Sequence, residues 1–438
     1  MVHSGTRKKE LNMIRRKCIL FLLIFVVVSY GIFAAGTKDR GASGPITLQY
    51  WTHTAPTLID VNNQLIKEFE AKNPDITIEY TPVGTSEDLY NKLVTAYAGK
   101  VAPDVFWLPD WWVPRFAELG MAAKVPEYVG DLESRYESRA LDGYRWKGDL
   151  YTAGISEYNT LSIIYNKEIF ANAGVPFPSE VTPMTLDELV NVASKLTSYD
   201  KGKRVVSGFE FLRVPLFPAN WVALIWEPIL QQQGAGFLDK STGLPDFLAP
   251  EVINLFSMMQ KMEQESKVAD TSFVVNLFDD FAKGRIAMII AGAWAPPIIK
   301  TLNPNADFGI APLPVVKGGD RQTVLYSWGW VVNPSTPHAE AAWKFAQFLA
   351  QEHPDLWWEK AGYIQPLKGQ LDKLAQTQPV LATFIDDFKY GAYTLRSTYF
   401  TEITSVLGQV QSRVMSENVD VRKVLSDAQN EILKLIEH

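Results

Sequence analysis

The sequence predicts a two-lobed α/β protein, each lobe a mainly parallel sheet flanked by helices, with a cleft between the lobes. Two observations carry this. From residue 46 onward short apolar strands alternate with amphipathic helices, the pattern of a parallel sheet covered on both faces. The roughly 400 residues that follow the leader also exceed what one hydrophobic core usually supports.

The segment Ile46 to Trp51 is β-rich and apolar, and after it Leu58, Val61, Leu65 and Phe69 recur at helical spacing until Asn73 and Pro74 end the helix. Ile76 to Tyr80 reads as a second strand. Thr85 and Asp88 then open a helix carrying Leu89, Leu93 and Tyr97 up to Gly99. Asp104 to Leu108 is a third strand. A second unit follows: a strand over Leu161 to Tyr165, a T-x-x-E capping box over Thr185 to Glu188, a strand over Val205 to Phe211, a helix from about Glu251 to Lys267 and a strand over Ile286 to Ile290. No long linker separates the halves, so the chain is expected to cross between lobes more than once, near Glu157, near Pro312 and after Tyr363. The resulting division is 46–156 with 313–365 for the first lobe and 157–312 with 366–438 for the second.

Ahead of this lies a leader. Arg15, Arg16 and Lys17 precede an apolar run from Cys18 to Val28, with small residues Ala34, Ala35 and Gly36 beyond it. This is the order of a secretory signal over residues 1–36, followed by a linker over 37–45; a retained membrane anchor is the alternative. Both readings place the bulk of the chain outside the cytosol. Residues 1–36 hold six of the 42 Lys and Arg and one of the 49 Asp and Glu, which leaves 36 against 48, a net charge of -12. Such an acidic body is a poor partner for nucleic acid. The single cysteine, Cys18, belongs to the leader, so the remainder has no disulfide and must be held by its core.

Several chemistries are missing. The sequence contains no G-x-x-x-x-G-K-[ST] or G-x-G-x-x-G phosphate loop, no H-E-x-x-H, no C-x-x-C and no G-x-S-x-G. No cofactor, no metal and no catalytic apparatus is therefore expected. What the sequence does offer is position: in open α/β sheets ligands sit beyond the carboxyl ends of the strands. Trp51, Thr52 and His53 follow the first strand, Gly84 the second, and Trp107, Asp110, Trp111 and Trp112 lie at or past the end of the third.

The opening strand and helix around Tyr50, Trp51 and Phe69, with A-P-D-V at Ala102 to Val105, I-Y-N-K at Ile164 to Lys167, F-x-x-G-x-x-A-M at Phe281 to Met288, G-A-W at Gly292 to Trp294, D-F-G-I-A-P-L-P at Asp307 to Pro314 and A-A-W-K-F at Ala341 to Phe345, resemble the extracellular solute-binding proteins of ABC sugar importers, the class that includes maltose-binding protein. The resemblance runs over nearly all of the chain after the leader. It implies a periplasmic-binding-protein fold closing on a mono- or oligosaccharide, with membrane permease subunits as partners, a monomeric receptor and an extracytoplasmic location. Carried over by position, it puts Trp51, His53, Trp107 and Asp110 of the first lobe, Asn159 at a crossing, and Trp221, Trp294, Trp328 and Tyr399 at the ligand; Trp111 is added from its place past a strand end, and His53 and the Trp111–Trp112 pair depart from the family's pattern.

A sugar ring has an apolar face of C–H groups and a belt of hydroxyls, so flat aromatics and polar side chains such as Asp110 and Asn159 suit it. Tryptophan is also simply a large core residue, and that reading is preferred for Trp343, Trp357 and Trp358. Asp110 has a second reading as a helix cap, and His53, with no His or Cys near it in sequence, is read as a hydrogen-bonding group rather than a metal ligand. Two other functions share these features: a receptor for a quaternary ammonium solute held by cation-π attraction, and an exported glycoside hydrolase, which would need two facing carboxyls.

Overall fold

The computed structural model describes residues 44–437. The leader over residues 1–36 lies outside the described residues.

Ten strands build two sheets. In chain order they are β1 (Ile46–His53), β2 (Ile76–Val83), β3 (Val105–Pro109), β4 (Gly154–Asn159), β5 (Ser162–Asn166), β6 (Glu210–Phe211), β7 (Met288–Ala291), β8 (Phe308–Pro312), β9 (Thr323–Val332) and β10 (Gly391–Tyr393). The first sheet has the order β10-β9-β3-β1-β2, with β4 also paired to β9. The second has the order β6-β7-β5-β8. Two short hairpins, over 145–150 and 198–206, stand apart from both.

The two-lobed α/β expectation holds, but the strand directions are more mixed than a mainly parallel sheet. β1 pairs in parallel with β2 and β3, whereas β9 runs antiparallel to both β3 and β4. In the second sheet only β6 and β7 are parallel, and β5 opposes both β7 and β8. Connectivity is the cause. A strand that enters a sheet straight from the other sheet runs opposite to the strands that return through helices, and β5 and β9 are those entering strands: β4 leads into β5 through Thr160 and Leu161 alone, and β8 leads into β9 through residues 313–322.

The helices that matter here are α1 (Pro56–Lys72), α2 (Ser86–Ala98), α3 (Trp221–Gln231), α4 (Pro250–Gln264), α5 (Ala295–Leu302), α6 (Ala339–Gln351), α7 (Pro354–Ala361), α8 (Ala382–Asp387), α9 (Phe400–Ser416) and α10 (Val421–Ile436). α1 starts on Pro56, a residue pre-set for a first helical turn, and buries the expected stripe of Leu58, Val61, Leu65 and Phe69. Both capping boxes form: Thr85 and Asp88 at α2, and Thr185 and Glu188 at the helix Leu186–Leu196, each exchange side-chain and backbone hydrogen bonds. α6 packs on β9, and α7 on α1. α4, α9 and α10 pack on one another in a separate helical layer. One continuous apolar core runs through all of this, from Leu48 to Ile432.

The strand expected over Val205 to Phe211 is broken. Lys203–Val206 belongs to a hairpin with Ser198–Asp200, and only Glu210–Phe211 joins the second sheet. Between them Gly208 lies so close to the preceding helix that an added Cβ would sit 1.9 Å from the carbonyl oxygen of Ala193. The helix expected to reach Lys267 ends at Gln264, and Lys267 takes a left-handed φ of 51°.

Candidate functional site

A hollow of about 720 Å³ opens where the ends of β1 and β3 meet β9, α5 and α7. That volume is in the range of ligand-binding clefts. Its lining is dominated by aromatic side chains. His53 is the last residue of β1, Trp111 sits in the 3₁₀ turn that follows β3, Tyr326 and Trp328 lie on β9, Trp221 opens α3 and Trp294 immediately precedes α5.

These rings touch in sequence. His53 meets Trp328 at 5.1 Å between centroids, Trp328 meets Trp111 edge to face at 5.6 Å, Trp111 meets Tyr326 at 6.2 Å, and Tyr326 meets Trp221 at 6.0 Å. Trp221 lies 6.0 Å from Trp294, whose indole N–H donates to the Tyr326 hydroxyl at 2.6 Å. Gly292 makes that bond possible, since a Cβ there would stand 2.6 Å from Trp294 Nε1 and 2.7 Å from the Tyr326 hydroxyl. Trp358 and Tyr363, on and just after α7, also line the cleft, and Tyr363 stacks on Trp107 at 5.8 Å.

Polar side chains, among them Thr57, Ser86, Asn220 and Thr301, also line the cleft. Glu157, on β4, is the buried carboxyl of the cleft. A bulge aims it there: Trp328 faces Glu157 but Gly329 faces Ile155, which leaves Ser156 as an extra residue on β4. Burial raises the Glu157 carboxyl to about 8, and burial lowers the His53 imidazole to about 4, so both are neutral around pH 7. Glu359 and Lys360 stand exposed at the rim. Three buried polar atoms on the lining, His53 Nδ1, Trp111 Nε1 and Asn220 Oδ1, have no hydrogen-bond partner in the protein. Unpaired buried donors and acceptors are costly.

Of the ten residues expected at the site, the cleft brings together His53, Trp111, Trp221, Trp294 and Trp328. The other five lie elsewhere. Trp107 is fully buried one layer beneath, stacked on His53 at 4.8 Å and Trp328 at 4.4 Å, with its N–H donating to Ser156 Oγ at 2.6 Å. It supports the wall rather than forming it. Asp110 is buried and binds β9, accepting from the Ser327 backbone N–H at 2.7 Å and hydroxyl at 3.0 Å. Burial raises its carboxyl to about 7, against the pull of Arg396.

Asn159 is buried at the end of β4, where its amide donates to Glu157 Oε1 at 2.5 Å and its Oδ1 lacks a protein partner. Trp51 is half-buried two residues before His53, beneath the Lys92 ammonium of α2 at 4.1 Å. Tyr399 precedes α9, with Arg115 5.9 Å from its ring. Trp343 and Trp357 are core, as expected, but Trp358 lines the cleft.

The sequence reading did not single out Glu157, Tyr326, Tyr363 and Trp358 as cleft residues. Tyr326 had a readable signal, since it lies two residues before Trp328 on one strand and so shares its face. Glu157 had none, because a bulge is invisible in hydrophobic periodicity.

Among the described residues no helix is long and apolar enough to cross a membrane. The maltotriose-binding protein of Pyrococcus abyssi is 26% identical over 409 residues, covering 90% of this chain and 82% of that protein. Among solved structures, an ABC substrate-binding protein of Listeria monocytogenes in complex with cycloalternan superposes with a TM-score of 0.76 at 21% identity, over 90% of this chain and 99% of that one. An ABC transporter solute-binding protein of Thermotoga lettingae bound to α-D-tagatose gives 0.76 at 23% identity, over 89% and 99%. The model of the bacterial extracellular solute-binding proteins matches residues 55–353, and with two α/β sheets meeting at an aromatic cleft the chain belongs to that family.

Proposed function

We propose that this protein is the extracytoplasmic receptor of an ABC importer, that its solute is a carbohydrate, and that it binds by closure of the two lobes. The observation that carries the reading is the wall from His53 through Trp328, Trp111, Tyr326 and Trp221 to Trp294, uncharged near neutrality and edged by unpaired hydrogen-bonding atoms. Ring faces pack against the C–H face of a sugar, and Glu157, His53 and Asn220 meet its hydroxyls. A micromolar receptor needs about -8 kcal/mol, and one aromatic contact adds on the order of 1 kcal/mol beyond its buried area. Several rings acting together are therefore required, and the cleft supplies them.

The ligand-binding set is then His53, Trp111, Trp221, Trp294 and Trp328 with Glu157, Tyr326, Trp358 and Tyr363. The crossings at Thr160 and Leu161, at 313–322 and after Tyr363 are the hinges, and ligand stabilises the closed form because only that form completes the contact set. The lobes divide at these crossings, except that β10 (Gly391–Tyr393) returns to the first sheet beside β9 and so does not belong with the rest of 366–438, and the receptor acts as a monomer that delivers its solute to permease subunits. With Glu157 as the one buried carboxyl in the cleft and Glu359 exposed at its rim, the pair of facing acids used in glycoside hydrolysis is lacking, which supports binding without turnover.

Calorimetry and thermal shift against a saccharide panel test the reading. Saturable binding without new reducing ends is expected, and Trp294→Ala should weaken it about tenfold, some 1.4 kcal/mol. The same substitution should lower the ligand-free melting temperature less than Trp226→Ala does, because Trp226 is fully buried. Turnover of the saccharide, or a Trp294 variant as unstable as the Trp226 variant with unchanged affinity, refutes the proposal.

A further inference from the structure

The buried carboxyl of the cleft owes its direction to contacts beneath the aromatic wall. Ser156, the extra residue of the β4 bulge, is pinned from two sides: its hydroxyl accepts from the Trp107 indole N–H at 2.6 Å and donates to the Trp328 carbonyl at 3.0 Å. Past the bulge the register is regular, with Glu157 opposite Trp328 and Asn159 opposite Tyr326. Glu157 and Asn159 therefore share one face of β4.

On that face the Asn159 amide donates to Glu157 Oε1 at 2.5 Å. Glu157 makes no other hydrogen bond among the described residues, and it lines the cleft, so its second oxygen is left for whatever enters. Asn159 is fully buried and its own Oδ1 has no partner. Turning the amide over would strand its two N–H groups instead, the rarer and costlier outcome.

No cation is paired with Glu157; burial alone raises its carboxyl. The titratable groups around it are His53 at the end of β1, Tyr326 on β9, Tyr363 after α7 and, deeper, Tyr144, with Glu359 and Lys360 exposed at the rim. Burial pushes the three phenols well above their ordinary range and the His53 imidazole down to about 4, so none of these four is charged near neutrality. A neutral carboxyl accepts at its carbonyl oxygen and donates from the other. With Asn159 on Oε1, the O–H belongs to Oε2.

We infer that Asn159 is a positioning residue of the cleft: by holding Oε1 it turns Oε2 of Glu157 toward the ligand as a hydrogen-bond donor, so the ligand must bring an acceptor oxygen to that point. This rests on the carbohydrate reading above and narrows it. A lone pair of a ring, glycosidic or hydroxyl oxygen meets the need. An ammonium group, which only donates, does not.

Two measurements test this on the chain after the leader. The infrared difference between wild type and Glu157→Gln isolates the carboxyl band without any ligand. A protonated C=O band is expected at pH 7 and should vanish as pH rises through about 8. In an Asn159→Leu background the same band should move to higher frequency, because its C=O has lost the N–H partner. A carboxylate band at pH 7, or a band that Asn159→Leu does not move, overturns the inference.

The second measurement is calorimetry from pH 5 to pH 10 with D-glucose, maltose, maltotriose, D-mannose and mannotriose. For the sugars that bind, wild-type affinity should hold below about pH 8 and fall about tenfold for each further pH unit. Glu157→Gln should lack that fall, whereas any contribution of Asp110, raised to about 7, persists in it. Asn159→Asp keeps the side chain's size but draws the Glu157 proton into a bond shared by two carboxyls, so binding should drop about tenfold at pH 7 and recover toward pH 5. Wild-type affinity that is level across pH 8, or an Asn159→Asp variant with the wild-type profile, overturns the inference and leaves the carbohydrate reading standing. If none of the sugars binds, the carbohydrate reading falls and the demand on the ligand falls with it, while the infrared bands still decide how Asn159 holds Glu157.

Discussion

Glu157 shows what a single side chain does for this cleft. Below about pH 4.5 its carboxyl is protonated in both folded and unfolded chains. As pH rises toward about 8 the unfolded chain releases the proton and the folded one retains it, so this residue makes folding stability fall across that window. Glu157→Gln keeps an acceptor for the Asn159 amide and removes the titration. The ligand-free melting temperature of the variant should therefore fall less than that of wild type between pH 5 and pH 8, by several degrees, in parallel thermal melts. At this scale the sequence was half legible. His53 and Trp111 sit past strand ends and were found by that rule, whereas Trp107 obeyed the same rule yet faces the layer below, because β3 is covered on both sides and all five of its residues are buried.

Between elements, the crossings are held by more than their own backbone. Arg321, on the segment from β8 to β9, donates through Nε to Asp387 at 3.0 Å and through a terminal nitrogen to Asp386 at 2.8 Å, both on α8, and Asp387 in turn accepts from Ser162 Oγ of β5 at 2.7 Å. Thr323 and Thr160 add bonds from their hydroxyls to the Leu161 and Phe384 carbonyls. Removing one partner of a buried ion pair costs about 3–5 kcal/mol, so Arg321→Met should destabilise the protein by that order in urea melts. Burial raises the Asp387 carboxyl to about 6, and Arg321 opposes the rise. Without Arg321 it should rise further, so the loss should be greater at pH 8 than at pH 5. The element pattern itself was readable where local chemistry decides, as at the Thr85 and Thr185 capping boxes. It failed at Val205 to Phe211, where the close approach of Gly208 to Ala193, a tertiary fact, breaks the strand.

For the molecule as a whole, alternation of strands and helices was enough to anticipate two α/β lobes, but not the direction of each strand, which depends on where the chain crosses. If those crossings act as hinges, small-angle scattering should report a smaller radius of gyration with a bound saccharide than without, and no change for a sugar that calorimetry shows not to bind. A further consequence lies in β9. It is the strand that joins β3 to β4 and β10, and it is made only at residues 323–332. Until then the ribosome has delivered a first sheet whose all-apolar β3 has an open edge, and the helical layer of α9 and α10 comes later still. Pairings so distant along the chain form slowly, so early native folding is suppressed by the order of synthesis alone. The open edge of β3 is therefore closed only once residue 332 has been made, two-thirds and more of the way along the chain.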